Sequence, residues 1–476
     1  MDYDLLIRNA TVIDGTRAPR YEADIAVNGD RIAAIGKLER AHAEVELDAS
    51  GKVAAPGFID AHTHDDRLML SAPEMAPKVS QGVTTVIAGN CGISLAPAPN
   101  GMRAPVTPPL DILDDEGTWF RFRRFGDYVD ELRARPAAAN CALLVGHSMF
   151  RLQTMDDVDK PATGAERSRM RALVDEALAA GAIGVSTGLY YEPASAAPTE
   201  EVIEICRPLA ARNGLYVTHM RNEGEKIIDS LEETFRIGRA LGVPVVISHH
   251  KVAGQPNHGR SKETLPLIEA RMKSQRIGLD CYPYCASSTI LSASRAAVAT
   301  KTLVTWSKPH PEVAGMELGA IAAQLNLSID SLLPAGAIYF SMDEADVQRI
   351  LGFEHTMIGS DGLPHDAAPH PRLWGTFPRV LGHYARGVGL FPLETAVYKM
   401  TGLTASTFGL KDRGILRQGM AADITVFDAG EIDEVATFAK PVQPAKGIET
   451  VIVNGAIAWH GGRGSGARPG KVLTRG

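Results

Sequence analysis

Short apolar runs broken by turn residues mark both ends of the chain, and a longer, mixed rhythm lies between them. At the start, Leu5-Leu6-Ile7 and Thr11-Val12-Ile13 read as two strands separated at Asn9-Ala10. Asp24-Ile25-Ala26-Val27 then meets Arg31-Ile32-Ala33-Ala34-Ile35 across Asn28-Gly29-Asp30. An Asn-Gly pair between apolar runs signals a hairpin, because glycine accepts the positive φ that the turn requires. The far end has the same texture. Asp423-Ile424-Thr425-Val426-Phe427 forms one run, and Thr450-Val451-Ile452-Val453 turns at Asn454-Gly455 into Ala456-Ile457-Ala458-Trp459. Together the ends, residues 1–54 and 415–476, predict one β-sandwich domain assembled from both termini. Two separate β caps are the alternative.

Between the ends, apolar strands alternate with amphipathic helices. Strand candidates fall at 53–59, 83–88, 141–145, 183–186, 216–218, 243–248, 277–280 and 356–360. One helix sets Met170, Leu173, Val174, Ala177 and Leu178 on a single face and stops at Gly181. Another opens at Thr199 as its N-cap, with Glu200 and Glu201 in the first turn. Eight strands with helices between them fit an α/β architecture, a (β/α)8 barrel over residues 55–414, better than an open sheet. Two connections exceed ordinary barrel loops. Residues 96–125 are Pro-rich, then aromatic and basic. Residues 285–348 hold a helical stretch at 318–333 and a short strand at 338–340, an insertion that could form a lid over the barrel mouth.

Composition narrows the class. The chain of 476 residues carries 49 Lys and Arg against 56 Asp and Glu, a net charge of -7. Nucleic-acid binding needs clustered positive charge, so no such partner is expected. The five cysteines are odd in number and scattered, which fits a reducing compartment rather than a disulfide scaffold. With no run of ~18 apolar residues and no basic–apolar leader pattern, a soluble cytoplasmic protein without a membrane span is expected.

The densest chemical signal is Pro56-Gly57-Phe58-Ile59-Asp60-Ala61-His62-Thr63-His64, an apolar run ending in two histidines. Along a strand, residues i and i+2 share a side, so both imidazoles could face one ion. His219 closes Leu215-Tyr216-Val217-Thr218, and His249 closes Val245-Val246-Ile247-Ser248. Cys91 follows Thr84-Thr85-Val86-Ile87-Ala88-Gly89-Asn90, and Asp361 closes Met357-Ile358-Gly359-Ser360. All fall at C-terminal strand ends, the edge where a barrel of this kind places its active site. Imidazole, thiolate and carboxylate suit zinc. His250, next to a candidate ligand, should point the other way along a strand. Asp65 and Asp66 could either orient the histidines or be solvated loop acids. No phosphate-cradling or dinucleotide motif accompanies the glycines, so Gly184, Gly188 and Gly362 read as tight-turn positions.

These residues resemble the amidohydrolase superfamily, and within it the D-aminoacylase (N-acyl-D-amino-acid deacylase) family. The resemblance runs over nearly the whole chain. It is carried by Phe58-Ile59-Asp60-Ala61-His62-Thr63-His64-Asp65-Asp66, Gln81-Gly82-Val83-Thr84-Thr85, Gly89-Asn90-Cys91-Gly92-Ile93-Ser94, Thr218-His219-Met220-Arg221-Asn222-Glu223, Ser248-His249-His250-Lys251 and Gly359-Ser360-Asp361-Gly362-Leu363-Pro364-His365. It implies zinc-dependent hydrolysis of the amide bond of N-acyl-D-amino acids, a small-molecule substrate. It places a tight zinc at Cys91, His219 and His249, and a weaker second site at His62 and His64 with Cys91 bridging. It makes Asp361 the general base and acid. Lys251, Tyr191, Tyr282 and Ser288 are implied to hold the substrate's carboxylate. Arg372 and Arg295 are further candidates, each also able to pair with the protein's own carboxylates. Tyr339, Phe340 and Met342 are expected to line the side-chain pocket, with hydrophobic or broad specificity favoured over acidic. Many relatives in the superfamily bridge two metals with a carbamylated lysine on the fourth barrel strand. Here that stretch, Ala182-Ile183-Gly184-Val185-Ser186-Thr187-Gly188-Leu189, offers none. That absence weighs against a cyclic-amide hydrolase of the dihydropyrimidinase or hydantoinase kind. The intact set of ligand candidates weighs against a catalytically silent binding protein.

Overall fold

The two ends of the chain do meet. In the computed structural model, which describes residues 2–99 and 101–476, β1 (Tyr3–Val12) pairs antiparallel with β2 (Tyr21–Asn28), which turns at Gly29 into β3 (Arg31–Gly36). β4 (Ala43–Asp48) and β5 (Val53–Pro56) run parallel to β1. The first two apolar runs form one strand rather than two. Asn9 takes a φ of 55° in a bulge between Ile7 and Ala10, and pairing resumes beyond it.

Eight parallel strands then build the barrel. Seven of them are β6 (Phe58–Asp60), β7 (Val83–Ala88), β8 (Asn140–Gly146), β9 (Gly184–Gly188), β10 (Leu215–His219), β11 (Val245–Ile247) and β12 (Ile277–Cys281). An insertion of three strands follows, β13 (Ala286–Ile290), β14 (Lys301–Ser307) and β15 (Ala335–Phe340), before the eighth barrel strand, β16 (Thr356–Ile358). The ring closes from last strand to first: Ala61 N–H donates to Ile358 O at 3.1 Å, and Asp361 N–H to His62 O at 2.8 Å. Ile59, Ala61, Ile87, Ala142, Leu144, Leu215, Val217, Val246 and Met357 pack into one cluster capped by Phe408 and Leu410. Their neighbours Phe58, Leu143, Tyr216, Val245 and Ile358 belong to another, larger cluster. The alternation follows from the period of two along a strand.

The C-terminal part returns to the first sheet. β17 (Ile424–Phe427) pairs antiparallel with β5, and β18 (Ile448–Val453), β19 (Ala456–His460) and β20 (Arg463–Gly464) extend the ladder. Nine strands from both termini thus form one continuous sheet with its own core of Leu5, Ile7, Val12, Ile25, Val27, Ala54, Ile424 and Ile452. The opposite side chains, Val53, Ala55, Phe427, Val451 and Val453, join the barrel's larger cluster and dock the two parts. A final pair, β21 (Val472–Leu473), lies parallel to β8.

The insertion is more sheet-like than the sequence suggests. β13, β15 and β14 form an antiparallel sheet with a small core that includes Val304, Ile321, Leu332 and Ala337. The helical stretch divides into Leu318–Leu325 and Ile329–Leu332, because Asn326 turns left-handed (φ 54°) and ends the first helix. The helix Gly164–Ala179 opens with a capping box between Thr163 and Glu166. Thr199, by contrast, is the first helical residue behind Pro198, and its hydroxyl donates to Glu233 instead of capping. No described helix is long and apolar enough to cross a membrane.

Candidate active site

Strand ends carry the chemistry. On β10, Leu215 and Val217 fill the barrel interior, and His219 continues that side at the rim. His249 lies just past β11, Cys91 past β7 and Asp361 past β16. These last three all have positive φ: 36°, 55° and 50° respectively. Left-handed backbone costs an L-residue about 1–2 kcal/mol, so the surrounding packing holds each one there. The two histidines of the His-x-His motif do not share a strand face, because β6 stops at Asp60. They converge in the following turn, with His62 Nε2 at 3.5 Å and His64 Nε2 at 3.2 Å from Asp361 Oδ1.

The loop bearing Cys91 is fixed by small residues on β9. Ser186 Oγ donates to Gly89 O and accepts from Gly92 N–H at 3.0 Å. A Cβ on Gly188 would stand 2.1 Å from Cys91 O. Gly188 is therefore a close-approach glycine and not the turn device expected, as is Gly184, whose Cβ would meet Leu215 O. The fourth strand spends its positions on accommodating the cysteine loop and has no lysine to offer.

Cys91 Sγ lies 3.3 Å from His62 Nε2, 3.4 Å from His249 Nε2 and 3.7 Å from His219 Nδ1. A tetrahedral zinc with ordinary Zn–S and Zn–N bonds separates sulfur and nitrogen ligands by about 3.6 Å. Two donor groups result, Cys91 with His219 and His249, and Cys91 with His62 and His64. Burial pushes the His62 imidazole down to about 3 and also lowers His219 and His249, so the rings are neutral and keep a lone pair for a metal. Burial likewise pushes the Cys91 thiol up, and a bound cation is what would ionise it. The residues fit a metal ion.

Charged side chains surround this cluster. Burial alone would raise the Asp361 carboxyl, but Arg372 and the neighbouring histidines hold it well below the usual carboxylate range. Arg372 Nη1 stands 3.0 Å from Asp361 Oδ2, Nη2 donates to Ser288 O at 3.2 Å, and the guanidinium lies over the Tyr282 ring. Arg372, expected at the substrate, is thus tied to the protein's own aspartate. Lys251 is engaged in the same way: its Nζ reaches Glu223 Oε1 at 2.5 Å and His249 O at 3.0 Å. Tyr191, Ser288 and Arg295 line the pocket over the cluster, together with Ile93, Ile112 and Leu363. Tyr282 stands behind it, packed against Arg372 and Lys251. Tyr339 is not in the pocket; its hydroxyl donates to Ile290 O, and Phe340 packs on Phe438. Both are consumed by the insertion's own cores. Met342 lines a small cavity beside Tyr282 and His250.

Several neighbours escaped the sequence. Glu223 sits among Lys251, His249 and His219; it closes the motif that begins at Thr218, but the sequence assigns it no role. Asp280 accepts from His249 N–H at 2.9 Å. Buried Lys78 contacts Asp60 at 2.9 Å, Asp65 at 3.3 Å and Ser360 Oγ at 2.8 Å, linking first and last barrel strands. Asp65 is therefore an ion-pair partner and Asp66 accepts from Gly89 N–H; neither is a solvated acid. His250 does turn away, to Thr264 Oγ1 at 2.9 Å, although not by strand alternation, because β11 ends at Ile247.

The amidohydrolase family model matches residues 45–290 and 314–458. The D-aminoacylase of Alcaligenes xylosoxydans xylosoxydans is 58% identical over 99% of this chain and 98% of its own length. A crystal structure of D-aminoacylase superposes with a TM-score of 0.96 at 57% identity, covering 99% of this chain and all of that one. The N-acyl-D-glutamate deacylase of Bordetella bronchiseptica, solved with zinc and a phosphonate mimic of the tetrahedral intermediate, gives a TM-score of 0.94 at 44% identity, covering 99% and 100%. Matches that span both chains, together with an intact set of donors at the barrel rim, make this chain a member of the amidohydrolase family of metal-dependent hydrolases, in its D-aminoacylase branch.

Proposed function

We propose that the protein hydrolyses the amide bond of N-acyl-D-amino acids, releasing a carboxylate and the free D-amino acid. Cys91, His219 and His249 would hold a tight zinc ion, and His62, His64 and Cys91 would hold a second, weaker one. Zinc in such a site supplies Lewis acidity, polarising the scissile carbonyl and making a water molecule more acidic. The chain's own contribution is proton transfer and orientation. Asp361 takes the proton of the attacking water and delivers it to the leaving nitrogen. Arg372 fixes one oxygen of that carboxylate, so the other faces the histidine cluster.

The observation that carries this function is the meeting of Asp361 with two histidines and a cysteine-centred donor group in one buried pocket. Tyr191, Ser288 and Arg295 line that pocket without a carboxylate partner among the described residues, and they present hydroxyl and guanidinium donors to a substrate. Lys251 and Arg372 reach the substrate's carboxylate only as cations already paired with Glu223 and Asp361. The D configuration is supported by the names of the relatives. Hydrophobic or broad side-chain preference is supported by the higher identity to D-aminoacylase (58%) than to the N-acyl-D-aspartate (51%) and N-acyl-D-glutamate (45%) deacylases. A kinetic panel of N-acetyl amino acids of both configurations, run with measured zinc content, tests the function. Turnover confined to D substrates and scaling with zinc is expected. Turnover of L substrates alone, or none with zinc bound, would refute it.

A further inference from the structure

Each of the two histidines assigned to the tight zinc has one nitrogen turned toward Cys91 and the other turned away. For His249 the inward atom is Nε2 and the outward one Nδ1; for His219 they are Nδ1 and Nε2. Both outward nitrogens face one side chain. Glu223 Oε1 is 3.0 Å from His249 Nδ1, and Oε2 is 3.7 Å from His219 Nε2. Glu223 is buried, and its backbone carbonyl accepts from Ala253 N–H at 2.8 Å, so the carboxylate is anchored from both ends.

His249 Nδ1 has a second neighbour, Lys251 Nζ at 2.7 Å. An ammonium can only donate. A neutral imidazole whose Nε2 lone pair is given to a metal must carry its proton on Nδ1, and only Glu223 can accept that proton. Lys251 is then the counter-ion that allows Glu223 to remain charged in a buried position. His219 Nε2 faces Oε2 at 3.7 Å, beyond hydrogen-bond range, and has no other partner among the described residues, so the carboxylate acts directly on His249 alone.

We propose that Glu223 is a positioning residue, a carboxylate whose Oε1 sets the tautomer and ring orientation of His249. This rests on the assignment of the tight zinc site to Cys91, His219 and His249. Carboxylates in such a position strengthen metal affinity about 10–100-fold. Glu223→Gln keeps the shape but replaces one acceptor with a donor that opposes a proton-bearing nitrogen.

The test is competition for zinc between a chromogenic chelator and the full-length protein, wild type and Glu223→Gln, with kcat, KM and thermal midpoints measured alongside. The expected result is zinc affinity weakened about 10–100-fold, with kcat at saturating zinc reduced more than KM. A variant that loses thermal stability but keeps wild-type zinc affinity would show a merely structural role and overturn the proposal. If Glu223→Gln does not fold because Lys251 is left unpaired, the double variant Glu223→Gln with Lys251→Met removes both charges, and the same loss of affinity is expected. Equal affinity in that double variant also overturns the proposal. Failure of the wild type itself to bind zinc would instead sink the metal-site assignment, and Glu223's role with it.

Discussion

Replacing Asp361 by Asn separates the chemistry of the site from its stability. The substitution keeps the side-chain volume and removes the charge. Proton transfer of this kind contributes about 10²–10⁴ in rate, or roughly 3–5 kcal/mol of barrier, and all of that is lost. Arg372 is simultaneously left without its carboxylate in a fully buried position. Breaking a buried pair typically costs about 3–5 kcal/mol. The lower end applies here, because Ser288 O and the face of Tyr282 still receive the guanidinium. The pH dependence has a definite sign. The folded-state carboxyl lies below its unfolded value, so the stability it contributes is fully present above about pH 3.9 and disappears as acid carries the pH through the lower, folded value. The stability gap between wild type and variant should therefore stay constant through neutral pH and close only in strong acid. The assays are steady-state kinetics, zinc content and denaturant unfolding. Zinc at the tight site should persist while turnover falls. Asp361→Asn combined with Arg372→Met should recover most of the lost stability and none of the rate. A single variant with wild-type kcat, or a double variant no more stable than the single, would refute this account.

Cys91→Ala removes the sulfur shared by both donor groups, so metal content and turnover should fall together; full activity in that variant would refute the ligand assignment. Lys78→Met strands Asp60 and Asp65 as buried carboxylates where the barrel closes and should cost about 3–5 kcal/mol by denaturant unfolding; a neutral effect would show that the seam does not depend on this cation. Asp111 is buried with both oxygens unpaired, and burial together with Asp366 pushes its carboxyl up to about 7. A raised carboxyl makes the folded state lose stability as pH rises, so Asp111→Asn should gain on wild type by on the order of 2 kcal/mol between about pH 5 and pH 8. A pH-independent difference in unfolding midpoint would rule this out.

The hairpins at Asn28-Gly29 and Asn454-Gly455 and seven of the barrel strands were legible because each announces itself locally, as an apolar run bounded by turn residues. The run at 53–59 reads as one barrel strand but breaks at Gly57 into β5 of the terminal sheet and β6 of the barrel. Cys91, His219, His249 and Asp361 could be singled out for a related reason: a polar side chain at the end of an apolar run stands out, and the fold gathers these four in one pocket. What stayed hidden depends on partners distant in the chain. Lys251 looks like a free cation in sequence, and Arg372 reads as open to a substrate or to the protein's own carboxylates; only the fold shows that Glu223 and Asp361 are their partners. β13 was missed because Ser287-Ser288-Thr289 carry no alternation of apolar and polar residues, and β14 (Lys301–Ser307) because its apolar run, Leu303-Val304, is only two residues long. Tyr339 and Phe340 misled for the opposite reason, since aromatic residues near a mouth serve a small domain's core as readily as a pocket.

The left-handed backbone at Cys91, His249 and Asp361 has an evolutionary corollary. At each of these positions glycine or asparagine would relax the main chain, yet would discard the sulfur, the imidazole or the carboxylate. A mutant library screened for heat resistance alone should accumulate such replacements at Cys91 and His249 and drift toward sturdy, inert barrels; at Asp361 the broken pair with buried Arg372 outweighs the relaxed backbone. Screening for turnover should hold Cys91 and His249 against that pull.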